Sequence, residues 1–178
     1  MVVRAPANEA PDQHNLGRTP QFDLRVRRRV SVYLDASVLV PRLVEETATA
    51  AVDAYLADRP GELLISDFAA AEVASALSRL VRMRALSPPQ ASAALDDFDI
   101  WRAAASSPAE THAADARLAY AYVRRFDLKL RTPDALHLAI THRLGAVLVT
   151  LDGRLANAAR NLGVAVAVPR TDTTAGSG

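Results

Sequence analysis

Four acidic residues, Asp35, Glu72, Asp134 and Asp152, occupy positions from which their carboxylates can meet. Asp35 ends an apolar, β-branched run, and Asp152 lies just past a second one. If both runs are strands of one parallel sheet, both carboxylates reach the crevice at its C-terminal edge. Glu72 and Asp134 fall in the first or second turn of predicted helices. If the Glu72 helix follows a strand, its N-terminal part rises from the same edge. Four carboxylates packed together repel one another unless a cation is present. An oxygen-only donor set favours Mg²⁺ or Mn²⁺ over zinc. Such an ion, alone or as a pair about 3.5–4 Å apart, lowers the pKa of a bound water and stabilises charge on a phosphoryl oxygen. That is the chemistry of phosphodiester cleavage.

Taken singly, each acid has a plainer reading. Asp152 before Gly153 suits a turn and helix cap, Asp134 suits the positive end of a helix dipole, and Asp35 suits a capping acid. Glu72 is harder to explain this way, because it borders the apolar stripe Ala69, Val73, Ala76, Leu77 and Leu80, where a carboxylate needs a partner. Four unrelated caps need not share one edge, whereas a single site requires it.

The surrounding pattern supplies the elements that would position them. A strand is predicted over 31–35, then a short helix to about 44 capped by Ser37, and a helix over 47–57. A second strand covers 62–65. The helix after it starts at a Ser66 or Asp67 cap and runs to about 84. Ser87-Pro88-Pro89-Gln90 opens another helix, to about 104. Residues 106–110 have room for a very short strand, and a helix follows over 111–126. Thr132-Pro133-Asp134 opens a helix that Gly145 ends. A strand over 146–150, a helix from Asp152-Gly153 to Gly163 and a strand over 164–168 complete the pattern. Short, continuously apolar strands alternating with helices mean a parallel sheet covered on both faces.

At 178 residues the chain has the length of one domain, and half of it is hydrophobic. The net charge of +1 gives no general case for nucleic-acid binding, which would have to come from local patches. There is no cysteine, which excludes disulfides and thiolate metal sites. No apolar run approaches the roughly 18 residues of a membrane span, and no signal peptide is recognisable, so a soluble cytoplasmic protein is expected. Residues 1–29 sustain no period and end in Arg25, Arg27, Arg28 and Arg29. They read as a disordered extension, either a basic arm for RNA or a solvated tail. Residues 30–169 form the domain, and 170–178 a flexible polar tail.

From about residue 31 to 169 the chain resembles the PIN-domain ribonucleases, and within them the VapC-type toxins of bacterial toxin–antitoxin pairs. The residues carrying the resemblance are Leu34-Asp35-Ala36-Ser37, Ala71-Glu72-Val73, Thr132-Pro133-Asp134-Ala135-Leu136-His137-Leu138-Ala139 and Val149-Thr150-Leu151-Asp152-Gly153-Arg154-Leu155. It implies an α/β class, three-layer α/β/α sandwich around a short central parallel sheet. It also implies Mg²⁺- or Mn²⁺-dependent endoribonuclease activity, an RNA substrate, a cognate antitoxin and a homodimer. By resemblance, Asp35, Glu72, Asp134 and Asp152 are the metal-binding catalytic acids, the first and third nearest the metal. Ser37 and Thr150 fall where the family places supporting hydroxyls. His137, one turn after Asp134, is assigned to packing or capping. Arg42 and Arg154 are near the acids in sequence, where they either touch phosphate or face solvent.

Two other classes fit less well. A receiver-type phosphotransfer domain would carry adjacent acids after an early strand and a lysine after a late one. Here Ala36 follows Asp35, and Lys129, the one lysine, follows no apolar strand. A dehalogenase-type phosphatase would need Asp-x-Asp, and Ser37 takes the second place. A non-catalytic interaction module of the same fold is the remaining alternative, and it would gain no stability from Mg²⁺ or Mn²⁺.

Overall fold

The computed structural model describes residues 30–58 and 61–170, so the predicted basic arm and the last eight residues lie outside the described residues. Five parallel strands, β1 (Val32–Leu34), β2 (Leu63–Ser66), β3 (Ser107–Ala109), β4 (Val147–Val149) and β5 (Val166–Ala167), form one sheet in the order β3-β2-β1-β4-β5. β1 is central. Val32, Tyr33 and Leu34 pair with Val147, Leu148 and Val149 on one side, and Val32 and Tyr33 with Leu63 and Leu64 on the other.

Successive strand side chains point to opposite faces, and both faces are covered. Val32, Leu34, Ile65 and Val149 pack with α1 (Ala36–Leu39), α2 (Thr49–Ala57), α3 (Asp67–Arg82) and α4 (Pro88–Ala105). Tyr33, Leu64 and Leu148 pack with α5 (Ala113–Val123), α6 (Thr132–Leu144) and α7 (Gly153–Asn161). This is the expected three-layer sandwich. Burial on both sides explains why the strands read as unbroken apolar runs.

Several local readings shift. The helix after β1 is capped by Asp35, whose carboxylate accepts from the Val38 backbone N–H, and not by Ser37. It tightens into a 3₁₀ turn at Val40–Arg42, where Pro41 sits. The predicted helix over 111–126 stops at Val123, and a separate 3₁₀ turn covers Phe126–Leu128. Thr132 is the first residue of α6 and Arg131 its cap. The short strand suspected over 106–110 exists as β3. Gly145 ends α6 in the left-handed conformation, φ 59°, which glycine adopts without steric penalty.

α5 and α6 are tied by a buried ion pair. Arg143 Nε and Nη2 donate to Asp115 Oδ1 and Oδ2 at 2.7 and 2.9 Å. Burial alone would raise the Asp115 pKa. The hydrogen bonds from Arg143 and the His112 backbone, with the guanidinium charge, outweigh it and hold the carboxyl below its usual range. No helix among the described residues is long and apolar enough to cross a membrane.

Candidate active site

β1 delivers Asp35 to the C-terminal edge of the sheet, where its backbone N–H still bonds Val149 O at the end of β4. The side chain is 4% exposed. Ser37 Oγ donates to Oδ1 at 2.6 Å, the Val38 N–H to Oδ1 at 3.3 Å, and Thr150 Oγ1 to Oδ2 at 2.6 Å. The two hydroxyls are themselves fixed. Ser37 Oγ accepts from the Leu151 N–H, and Thr150 Oγ1 from the Asp152 N–H. Each therefore has its own hydrogen free to aim at Asp35. An arrangement with donors on both carboxylate oxygens and no acceptor fits the ionised form. Desolvation pushes the other way, raising the Asp35 pKa. The charged form of nearby His137 and the three hydrogen bonds oppose it without cancelling it, and the Asp35 pKa stays above the usual carboxylate value. Among the described residues no arginine or lysine bonds Asp35. The buried carboxylate thus has no arginine or lysine bonded to it as a counter-ion.

Glu72 lies in the second turn of α3. Its Oε2 meets His137 Nε2 at 2.5 Å. His137 is buried, as expected for a packed histidine, but it is also the direct partner of an expected site acid. Its Nδ1 is 2.9 Å from the Tyr33 hydroxyl, which is 2.7 Å from Ser66 Oγ. Ser66 caps α3 through the Ala69 N–H. Neither the His137–Glu72 link nor the part played by Tyr33 was read from the sequence. The available signal was His137 on the buried stripe of α6, where a polar ring must find partners.

Asp134 Oδ2 accepts from the Arg131 N–H, and Asp152 Oδ1 from the Arg154 and Leu155 N–H groups. Asp152 is therefore the cap of α7, as its plainer reading held, while Asp134 sits in the first turn of α6 and bonds back to the cap residue Arg131, a place that also suits the helix dipole. Each uses one oxygen only. Glu72 Oε1, Asp134 Oδ1 and Asp152 Oδ2 accept no protein hydrogen bond among the described residues. Capping and a second role are compatible for each.

The chain thus brings Asp35, Ser37 and Thr150 into one network, and Glu72, His137 and Tyr33 into another. Asp35 and Glu72 both act electrostatically on Tyr33, whose hydroxyl pKa is raised chiefly by burial. Among the described residues no group of three or more His, Asp or Glu side chains is brought close enough together to hold a metal ion. The donors are all oxygens. An oxygen set with an uncompensated carboxylate fits Mg²⁺ or Mn²⁺, since Mg²⁺ keeps several waters and is usually held by one or two carboxylates. Arg42 belongs elsewhere. It pairs with Asp53 at 2.9 Å and lies 4.6 Å from the Trp101 ring centroid. Arg154 is exposed.

The PIN-domain family model matches residues 32–161. The chain belongs to the PIN-domain family. It is 34% identical over 148 residues to ribonuclease VapC46 of Mycobacterium tuberculosis, a match covering 78% of this chain and 98% of that protein. Solved structures share the fold at lower identity. The Mycobacterium tuberculosis toxin VapC20, described as cleaving the sarcin–ricin loop, is 18% identical, with a TM-score of 0.58 over 71% of this chain and 94% of that one. A chain of a toxin–antitoxin complex from Klebsiella pneumoniae is 16% identical, with a TM-score of 0.55 over 78% of this chain and 98% of that one.

Proposed function

We propose that this PIN-domain chain is a metal-dependent endoribonuclease, the toxin of a type II toxin–antitoxin pair. The observation carrying the proposal is Asp35, a buried carboxylate that accepts hydrogen bonds from Ser37, Thr150 and the Val38 N–H and has no arginine or lysine bonded to it. The 34% identity to a ribonuclease over nearly that enzyme's full length supports the same reading. Asp35 and Asp134 are the direct metal-binding acids, and Glu72 and Asp152 act through water. A Mg²⁺ or Mn²⁺ ion bound there supplies an activated water and neutralises charge on the scissile phosphate. Ser37 and Thr150 keep Asp35 oriented and negative. The free oxygens of Glu72 and Asp152 hold and orient water hydrogens at the edge of the sheet, and the free oxygen of Asp134 is left for the ion. Hydrolysis breaks the bond to the 3′-oxygen and leaves a 5′-phosphate.

The partners follow from the same reading: an RNA substrate, a cognate antitoxin and a second copy of the chain. The test is incubation of antitoxin-free protein with a labelled pool of tRNA and ribosomal RNA in Mn²⁺, Mg²⁺ or EDTA. Discrete products in metal and none in EDTA are expected. Products of equal yield in EDTA would refute metal dependence. Folded protein that neither cleaves RNA nor gains thermal stability from Mn²⁺ would favour a non-catalytic interaction module.

A further inference from the structure

His137 is the one buried histidine among the described residues, and it lies between an expected site acid and the centre of the core. The contacts form an unbroken line. Glu72 Oε2 meets His137 Nε2 at 2.5 Å, His137 Nδ1 meets the Tyr33 hydroxyl at 2.9 Å, and that hydroxyl meets Ser66 Oγ at 2.7 Å. The line ends where the Ala69 N–H donates to Ser66 Oγ at 3.0 Å. Tyr33 and Ser66 are fully buried and His137 is 3% exposed, whereas the Glu72 side chain is 28% exposed. The line therefore runs from the rigid interior to a carboxylate at the wet edge.

With a neutral His137 ring, hydrogen accounting gives the line one direction. A carboxylate only accepts, so Nε2 donates to Glu72. A ring with its hydrogen on Nε2 accepts at Nδ1 from Tyr33. Tyr33 accepts from Ser66, and Ser66 from the Ala69 backbone. Every member is then satisfied, and no other arrangement is needed. Phe68, on the first turn of α3, packs its ring 4.9 Å from the His137 ring, and Tyr33 packs at 5.7 Å, so the imidazole is also held sterically. β1, α3 and α6 are thus joined through one ring. A glutamate on a helix surface ordinarily samples several rotamers. This one has an oxygen pinned by a buried donor and the other left open.

We infer that His137 is a positioning residue, anchored by Tyr33 and Ser66, that orients Glu72 so that its free Oε1 would be available to a metal ion held at the proposed site. The inference rests on the proposed metal site, but it assigns to His137 and Tyr33 a role that the four-acid motif does not contain. Outer partners of this kind typically change metal affinity or activity by about 10–100-fold when removed.

The test uses full-length protein and Mn²⁺ alone, titrated calorimetrically, with thermal melting of each variant in EDTA. His137→Leu removes both bonds and is expected to weaken Mn²⁺ binding about 10–100-fold. Tyr33→Phe keeps the ring in place but frees its far side, and is expected to weaken binding in the same direction by less. His137→Gln places an amide N–H at the same reach as Nε2 and is expected to recover most of the lost affinity. A packing role predicts instead that affinity follows melting temperature, with Gln no better than Leu. If His137→Leu does not fold, the comparison of His137→Gln with Tyr33→Phe decides in the same way. Wild-type affinity in a folded His137→Leu or in Tyr33→Phe overturns the inference, and so does a Glu72→Gln variant with unchanged affinity. Those results leave the ribonuclease reading intact if Asp35→Asn still abolishes binding. Wild-type protein that binds no Mn²⁺ would overturn both.

Discussion

Replacing Thr150 by valine tests the Asp35 network with little change of shape. Thr150 is fully buried. Valine keeps its branched outline and substitutes a methyl for Oγ1. Three contacts of Oγ1 vanish, the donation to Asp35 Oδ2 at 2.6 Å, the acceptance from the Asp152 N–H at 3.0 Å and a long contact with Ser37 Oγ at 3.3 Å that adds little. The first is charge-assisted, a class worth about 1.5–3 kcal/mol. The second adds little, because Asp152 lies near the surface and water can replace the lost acceptor. The net expectation is a loss of about 2 kcal/mol. With a urea m-value of about 1.5 kcal/mol/M, the unfolding midpoint should fall by about 1.3 M. Thr150→Ser keeps the hydroxyl and loses a methyl, a loss of about 1 kcal/mol. The assay is urea unfolding at pH 7 in EDTA, read by circular dichroism. The ordering is diagnostic. Serine should be milder than valine although valine preserves the packing. A valine variant within about 0.5 kcal/mol of wild type, or a serine variant worse than valine, would refute the claim that these hydroxyls stabilise an ionised Asp35.

Other expectations follow from the same structure. Arg143→Ala strands Asp115 in the α5–α6 interface. Breaking a buried pair from one side costs about 3–5 kcal/mol, and with Arg143 one-quarter exposed the expected loss is about 2–3 kcal/mol in urea unfolding at pH 7. The Asp115 pKa is lowered on folding, so this stabilisation is complete above the ordinary carboxylate value of about 4 and is lost as pH falls through the lower folded value. The wild-type and Arg143→Ala midpoints should therefore approach one another as the measurement is repeated at successively lower pH below the ordinary carboxylate value. Gly61→Ala places a Cβ 2.3 Å from the Val30 backbone oxygen, so the start of β1 must shift, and a lower melting temperature is expected.

The layered fold was largely legible, for one physical reason. A strand buried on both faces must be apolar throughout, and Val32 to Leu34 and Val147 to Val149 show that directly. Helix ends were legible where a single residue type fixes them, as at Ser87 and Gly145, and at α3 the choice between Ser66 and Asp67 falls to Ser66. They were misread where two candidates compete. Asp35 and Ser37 are both capping residues, and the carboxylate takes the cap while the hydroxyl donates to it. β5 is shorter than its apolar run because its pairing involves only Val166 and Ala167. At the site, the four acids were legible as types at helix starts and strand ends. The partners of Glu72 were not, because a line crossing β1, α3 and α6 joins residues 33, 66, 72 and 137, and no local spacing encodes it. Arg42 shows the converse. It is close to Asp35 in sequence, but it is spent on Asp53 and Trp101.

The central claim is that Asp35 is a metal-binding acid of a ribonuclease. Its most direct test is Asp35→Asn, which keeps size and shape and removes the charge. Wild type and variant are compared in Mn²⁺ on the same labelled RNA, with Mn²⁺ binding and melting temperature measured on the same samples. The account predicts a variant that melts within a few degrees of wild type, binds Mn²⁺ weakly or not at all and yields none of the discrete products. A folded Asp35→Asn protein that cuts the RNA at the wild-type positions and rate would contradict it.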